Sequence, residues 1–311
     1  MTEAPPRVIA VVGPTATGKS DLALGLADAL GGEIINADAM QFYRGMDIGT
    51  AKLRESERRG IPHHQIDTLD VTEDASVARF QAAARSDADA IHARGRRVIA
   101  VGGSGLYARA LLDRLEFPET DPEVRAALEA RSESEGPGIL HRELTARDPA
   151  AAARIPAQNA KRIVRALEVI EITGRPFSAS LPTRSYALPA IQIGVRVALD
   201  ALDARIDARA GRMWDNGLLD ETRTLVELGL RDGVTARRAV GYAEALGVLD
   251  GSLTEEAARE ATARNTRRLA RKQLKWFGPD ERVTWVDGAR DQADGARVLA
   301  DALAALGTLD T

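Results

Sequence analysis

The sequence predicts an α/β fold built on a parallel sheet, and three observations carry that prediction. The apolar run Val8-Ile9-Ala10-Val11-Val12 leads straight into "GPTATGKS", Gly13 to Ser20: a glycine, four residues, then Gly-Lys-Ser. Behind it, Asp21 to Leu30 carries apolar residues at helical spacing and stops at Gly31-Gly32. Further short apolar runs then alternate with helical patterns, as strand-helix-strand crossovers do.

In chain order, Arg7 to Val12 reads as the first, buried strand and Glu33 to Asp38 as the second. Arg96 to Val101 reads as the third, entered from a helix over Ser76 to Arg94. After Leu115 the chain turns rich in alanine and arginine, with Pro118, Pro122, Pro137, Pro149 and Pro156 between helical segments and no strand pattern. Residues 119–187 are therefore expected to form an all-helical insertion domain. They divide the core into a first part, 1–118, and a second part, 188–311, with C-terminal helices. Strand character returns at Ile191 to Val197, helices follow over 202–214, 216–229, 236–249 and 254–277, and Val283 to Val286 reads as a last strand before an alanine-rich helix. The expected architecture is a P-loop NTPase-like parallel sheet flanked by helices, carrying a helical insertion.

Bulk composition narrows the function classes. With 311 residues, 44% of them hydrophobic, the chain can bury a substantial core. Its 42 basic against 46 acidic residues give a net charge of −4, so the average surface does not attract nucleic acid and any such site must be a local basic patch. The absence of cysteine excludes a disulfide framework, a thiolate zinc site and a cysteine nucleophile. No charged segment followed by an apolar one opens the chain, and no apolar run approaches the roughly 20 residues that span a bilayer. A soluble, cytoplasmic protein with no membrane partner is expected.

The glycine-rich loop carries the chemistry. At average glycine usage its pattern arises by chance in roughly one chain of this length in a hundred, and its place between a strand and a helix strengthens it. There the amides of Ala16 to Ser20 point at phosphate oxygens and the helix start adds partial positive charge. Lys19 reaches the terminal phosphate, and Ser20 binds Mg²⁺. That arrangement serves a diphosphate as well as a triphosphate. Motors and switches add an acidic Mg²⁺ site at a strand end, whereas here the third strand ends in Gly102-Gly103-Ser104-Gly105. The strand-end carboxylate is instead Asp38, closing "EIINAD", where strand C-termini line the ligand crevice. Asp38 reads as a general base or Mg²⁺ contact, or else as a turn or helix-cap aspartate.

Two basic segments speak to the substrate. "ARNTRRLARKQLKWF", Ala263 to Phe277, sets Arg264, Arg268, Arg271 and Lys275 on one side at helical spacing, with Arg267 and Lys272 nearby and Trp276 and Phe277 at its end. "NAKRIVRALEVI", Asn159 to Ile170, repeats the theme with Lys161, Arg162 and Arg165. Each is either a solvated helix face or a grip on a folded RNA, held through phosphates and base stacking.

Taken together, these stretches make the sequence resemble the tRNA dimethylallyltransferase family, also called tRNA isopentenyltransferases. "GPTATGKS", "INADAMQFYRGMDIGTAK", "PHHQID", "VGGSGLYARALL", "DPEVR", "RIVRALEV", "AVGYAEAL" and "RKQLKWF" follow the family's order and spacing from Val8 to Phe277. The resemblance implies transfer of a dimethylallyl group from dimethylallyl diphosphate to the exocyclic amine of the adenine 3′ of the anticodon in the tRNA anticodon stem-loop. The cradled phosphate is then a leaving group. It further implies Asp38 as the base, with Gly13, Pro14, Thr15, Ala16, Thr17, Gly18, Lys19 and Ser20 around the diphosphate and Mg²⁺, and Arg209 neutralising diphosphate charge.

Segments matching the family's tRNA contacts are Asp38, Ala39, Met40 and Gln41, together with Ser104 and Arg125. The others are Lys161, Arg162, Ile163, Val164 and Arg165; Arg238, Ala239, Val240, Gly241, Tyr242 and Ala243; and Arg271, Lys272, Gln273, Leu274, Lys275, Trp276, Phe277 and Gly278. A monomer suffices for this chemistry, and a small-molecule kinase is the competing reading. The sequence departs from the family at Ala39, where serine is usual, at Gln65, where an apolar residue is, and at Lys275, where threonine is frequent. His63 and His64 read as structural, since neighbours on an extended segment point to opposite sides. Asp47 reads either as a partner behind the site or as a helix cap, and Trp276 and Phe277 either as core or as a stacking platform.

Overall fold

In the computed structural model, residues 8–180, 184–289 and 294–309 are described. Six strands form one sheet among them: β1 (Val8–Val12), β2 (Gly32–Asn36), β3 (His63–His64), β4 (Arg97–Gly102), β5 (Ala190–Arg196) and β6 (Val283–Asp287). They lie in the order β3-β2-β4-β1-β5-β6, and every adjacent pair is parallel. β1 and β2 are buried along their whole length, as strands covered on both faces must be.

Alternation along the strands sorts the two faces. Ile9, Val11, Ile34, Ile99, Ile193 and Val195 pack with Leu22 and Leu26 of α1 (Lys19–Leu30) and with Val298, Ala302 and Leu306 of α12 (Gly295–Leu309). The other side carries α2 (Val77–Ala93) and α3 (Gly105–Leu112). There Phe42, Phe80 and Tyr107 form a three-ring cluster with centroids 5.1–5.3 Å apart. A second core gathers Tyr43, Met46, Trp214, Leu218, Leu225 and Tyr242. It joins the loop after β2 to α8 (Leu199–Asp215), α9 (Leu218–Glu227) and α10 (Tyr242–Leu249), and α11 (Glu255–Phe277) packs along α8 and α10.

The structure departs from the periodicity reading at two places. His63-His64 pairs with Ile34-Ile35 as an edge strand, too short to leave a period-2 signal. The single helix expected over 236–249 is broken: Ala236–Arg238 makes one 3-10 turn, Ala239 is extended, and Gly241 at φ 94° turns the chain into α10. That positive φ is one that glycine adopts without penalty. Its amide donates to Glu244 Oε2 at 2.7 Å, closing the helix start.

The chain divides into two compact units, one of residues 113–185 and one of the rest. The smaller holds α4 (Pro122–Glu135), α5 (Pro137–Arg147), the single turn α6 (Pro149–Ala152) and α7 (Ala160–Thr173). Each of α4, α5 and α6 begins at a proline, whose fixed φ suits a helix start and whose missing N–H costs nothing there. Leu128, Leu140, Leu144, Ile163 and Leu167 make its core.

Candidate active site

The loop between β1 and α1 is shaped by three backbone conformations. Gly13 sits at φ 127° with no room for a side chain, because a Cβ would stand 2.7 Å from the Val195 carbonyl oxygen. Ala16 and Gly18 are left-handed at φ 64° and 89°. Thr17 Oγ1 donates to the Pro14 carbonyl at 2.9 Å, Lys19 Nζ donates to the same oxygen, and the Thr15 amide donates to Gln273 Oε1 at 2.8 Å. Among the described residues no acceptor meets the amides of Ala16 to Ser20, of which those from Gly18 onward are donors that a helix start leaves over. They line a cavity of about 900 Å³.

Asp38 stands just beyond β2, half-buried on the cavity wall. Its amide donates to Asn36 Oδ1 at 3.0 Å, and its Oδ1 accepts the Met40 amide at 3.1 Å, capping the 3-10 turn Ala39–Phe42. The cap reading thus holds through Oδ1, while Oδ2 makes no hydrogen bond among the described residues. Burial pushes the Lys19 ammonium down to about 7, with Asp38 pulling it up and Arg209 pushing it further down. The Arg209 guanidinium is lowered chiefly by burial, against Asp38 and with Arg212. Lys19, Asp38 and Arg209 therefore share one electrostatic environment.

Arg205, Arg209 and Arg212, at helical positions i, i+4 and i+7 of α8, all line this cavity. Only Arg209 is singled out by the sequence; the spacing in "DARIDARAGRM" was the available signal for the other two. Arg205 donates to the Ala289 carbonyl, and Arg209 Nη2 reaches the Thr50 carbonyl at 3.3 Å. The opposing charges on the wall are Asp21 and Asp38. Cations therefore outnumber carboxylates on the wall, a balance suited to an anion. Among the described residues no group of three carboxylates or imidazoles could hold a metal. Ser20 offers a hydroxyl on the cavity wall, so a cation here would take most of its ligands from a bound phosphate and water, as Mg²⁺ does.

Residues expected to face RNA fall into distinct surroundings. On α11, Arg271 makes a two-point pair with Asp203 at 2.7 and 2.8 Å and Arg267 pairs with Asp207, so both are neutralised against α8. Gln273 and Phe277 are buried and Leu274 is half-buried. Arg264, Arg268, Lys272, Lys275 and Gly278 are exposed, as is Trp276 at 45%. Trp276 is thus a surface ring and Phe277 core. Ser104 and Val240 are half-buried, Arg238 and Ala243 exposed, and Ala239, Gly241 and Tyr242 buried.

Tyr242 OH donates to Glu221 Oε1 at 2.6 Å, and burial followed by that carboxylate raises its phenol well above the ordinary range. Glu221 also accepts the amides of Asp47, Ile48 and Gly49 at 2.8–3.4 Å, which fixes the "MDIGT" loop. Asp47 pairs with the buried Lys52 at 2.6 Å, so it braces this loop. Within the helical unit, Arg125 and Arg165 both pair with the buried Glu168, at 2.6 and 2.8 Å. Ile163 and Val164 belong to its core, while Lys161 and Arg162 are exposed. His63 Nδ1 lies 2.8 Å from the Ile61 carbonyl and His64 Nε2 2.8 Å from Glu33, both structural contacts.

Comparison with known proteins agrees with this geometry. The family model described as IPP transferase matches residues 41–280. A tRNA dimethylallyltransferase from Streptomyces griseus subsp. griseus is 58% identical over 290 residues, 93% of each chain. Among solved structures, the full-length tRNA isopentenylpyrophosphate transferase from Bacillus halodurans superposes with a TM-score of 0.70 at 39% identity, covering 97% of both chains. A eukaryotic dimethylallyltransferase acting on tRNA gives 0.83 at 27% identity, covering 97% of this chain and 79% of its own. A sheet ending in an anion loop, its row of arginines and a match of this extent lead to one statement: the chain belongs to the IPP transferase family, as a prenyltransferase of the tRNA dimethylallyltransferase kind.

Proposed function

We propose that this protein moves the dimethylallyl group from dimethylallyl diphosphate to N6 of the adenine 3′-adjacent to the anticodon in tRNA and releases diphosphate. The bond between the allylic carbon and the diphosphate oxygen breaks, the carbon–N6 bond forms, and the amine proton passes to Asp38 Oδ2. The observation that supports this reading is an uncommitted carboxylate oxygen on the wall of a cavity whose other side is an anion loop and a row of arginines. Charge developing on the departing diphosphate meets the amides of Ala16 to Ser20, Lys19 and Arg209, which stabilise it more as the bond lengthens. Mg²⁺, held through Ser20 and the diphosphate itself, would add further stabilisation of the leaving group. The target adenine must turn out of its loop to bring N6 to Asp38.

Gly102-Gly103 at the end of β4 leave no carboxylate where a phosphoryl-transfer site places its second Mg²⁺ ligand, which supports a leaving-group role for the loop. A reaction on tRNA fits a cytoplasmic enzyme, and a monomer suffices for the chemistry. Incubation of the purified protein with tRNA, Mg²⁺ and dimethylallyl diphosphate, followed by nucleoside mass spectrometry, tests it. One five-carbon unit on adenosine is expected. Phosphate transfer from labelled ATP to a small molecule, with no prenylated adenosine, would instead assign a kinase.

A further inference from the structure

We infer that Gln273 is a positioning residue for the anion loop, an inference that rests on the leaving-group reading above. Its Oε1 accepts the Thr15 amide at 2.8 Å across 258 positions of sequence, and the residue is only 8% exposed. Its side chain therefore faces inward onto the loop and away from any RNA that lies on the outside of α11. Gly103 makes room for it, since a Cβ there would collide with Gln273 Nε2.

The loop needs such a latch. Ala16 is held left-handed without being glycine, a conformation that persists only where the surroundings enforce it. Fixing the neighbouring Thr15 amide enforces it and turns the amides of Ala16 to Ser20 to the cavity. The latch also claims the Thr15 N–H, so Thr15 supports the anion site through loop shape instead of donating to a phosphate. Because α11 is tied to α8 by Arg271–Asp203 and Arg267–Asp207, Gln273 holds the loop in register with the helix that carries Arg209. Loop and arginine row then need no rearrangement when a diphosphate arrives, which is how a preorganised site gains affinity.

Calorimetry of Mg²⁺ and inorganic pyrophosphate on the full-length protein tests this, with wild type and Gln273→Met, which keeps length and loses the acceptor. A Kd raised about tenfold is expected, the loss appropriate to one hydrogen bond that orders a site. In turnover the KM for dimethylallyl diphosphate rises while kcat stays near wild type, and tRNA affinity is unchanged. Hydrogen exchange supplies a readout independent of binding: the 13–20 segment exchanges faster in the variant and α11 does not. Gln273→Leu serves in the same way if the methionine variant fails to fold. Unchanged pyrophosphate affinity in a folded variant, or weakened tRNA binding with the diphosphate site intact, overturns the inference. Wild-type protein that binds no pyrophosphate removes the leaving-group reading itself.

Discussion

Arg271 and Asp203 meet through two parallel hydrogen bonds of 2.7 and 2.8 Å, and four residues earlier on α11 and four later on α8, Arg267 finds Asp207. The Asp203 carboxyl is held below the usual range by that guanidinium. This ladder commits Arg267 and Arg271 to α8, so the charge available to a polyanion is that of the exposed Arg264, Arg268, Lys272 and Lys275.

Changing those four residues together to alanine is expected to weaken tRNA binding and to lower its salt dependence by roughly one unit of log–log slope per lost phosphate contact. Arg271→Ala should leave that slope alone and lower thermal stability instead. A filter-binding salt titration on both variants separates the two. Equal loss of slope in Arg271→Ala would return that residue to the RNA surface.

How much of this was legible follows from sequence distance. The loop and its helix were readable because glycine, lysine and serine act within eight consecutive residues. The place of Asp38 near the loop was readable because it lies just past a strand end. The Gln273 latch was not, since its two ends lie 258 positions apart and neither residue type is unusual in its own segment. The charge pattern of α11 was readable but not its partition, because that depends on where α8 places Asp203 and Asp207. Periodicity carried the expected helix across Gly241, whose positive φ breaks it, and the resemblance set Ile163 and Val164 among tRNA contacts although they pack into the core of the helical unit.

Lys19 gives a pH signature. Burial holds its ammonium at about 7 in the free protein, and a bound diphosphate favours the charged form and raises that value. Binding is then fully supported below about pH 7. Above it, binding takes up a proton, and affinity falls by up to about tenfold per pH unit until the bound-state value is reached. Pyrophosphate titrations of wild type and Lys19→Met across this range isolate the term. Identical pH dependence in both would show that Lys19 is charged throughout.

Tyr242→Phe removes the hydroxyl that joins Glu221 to the Gly49 amide. Leaving those buried groups short of a partner should cost about 1–3 kcal/mol of stability in a denaturant titration. The same change frees the loop whose Thr50 carbonyl receives Arg209, so the KM for the allylic diphosphate should rise modestly. A variant as stable as wild type would mean that Glu221 alone holds the loop.

Asp38→Ala tests the account most directly, in a single-turnover assay with labelled dimethylallyl diphosphate and tRNA. Loss of a general base predicts transfer slowed at least about a hundredfold, with pyrophosphate and tRNA binding kept near wild type. Near-normal transfer by the folded variant would contradict the assignment of that carboxylate as the proton acceptor.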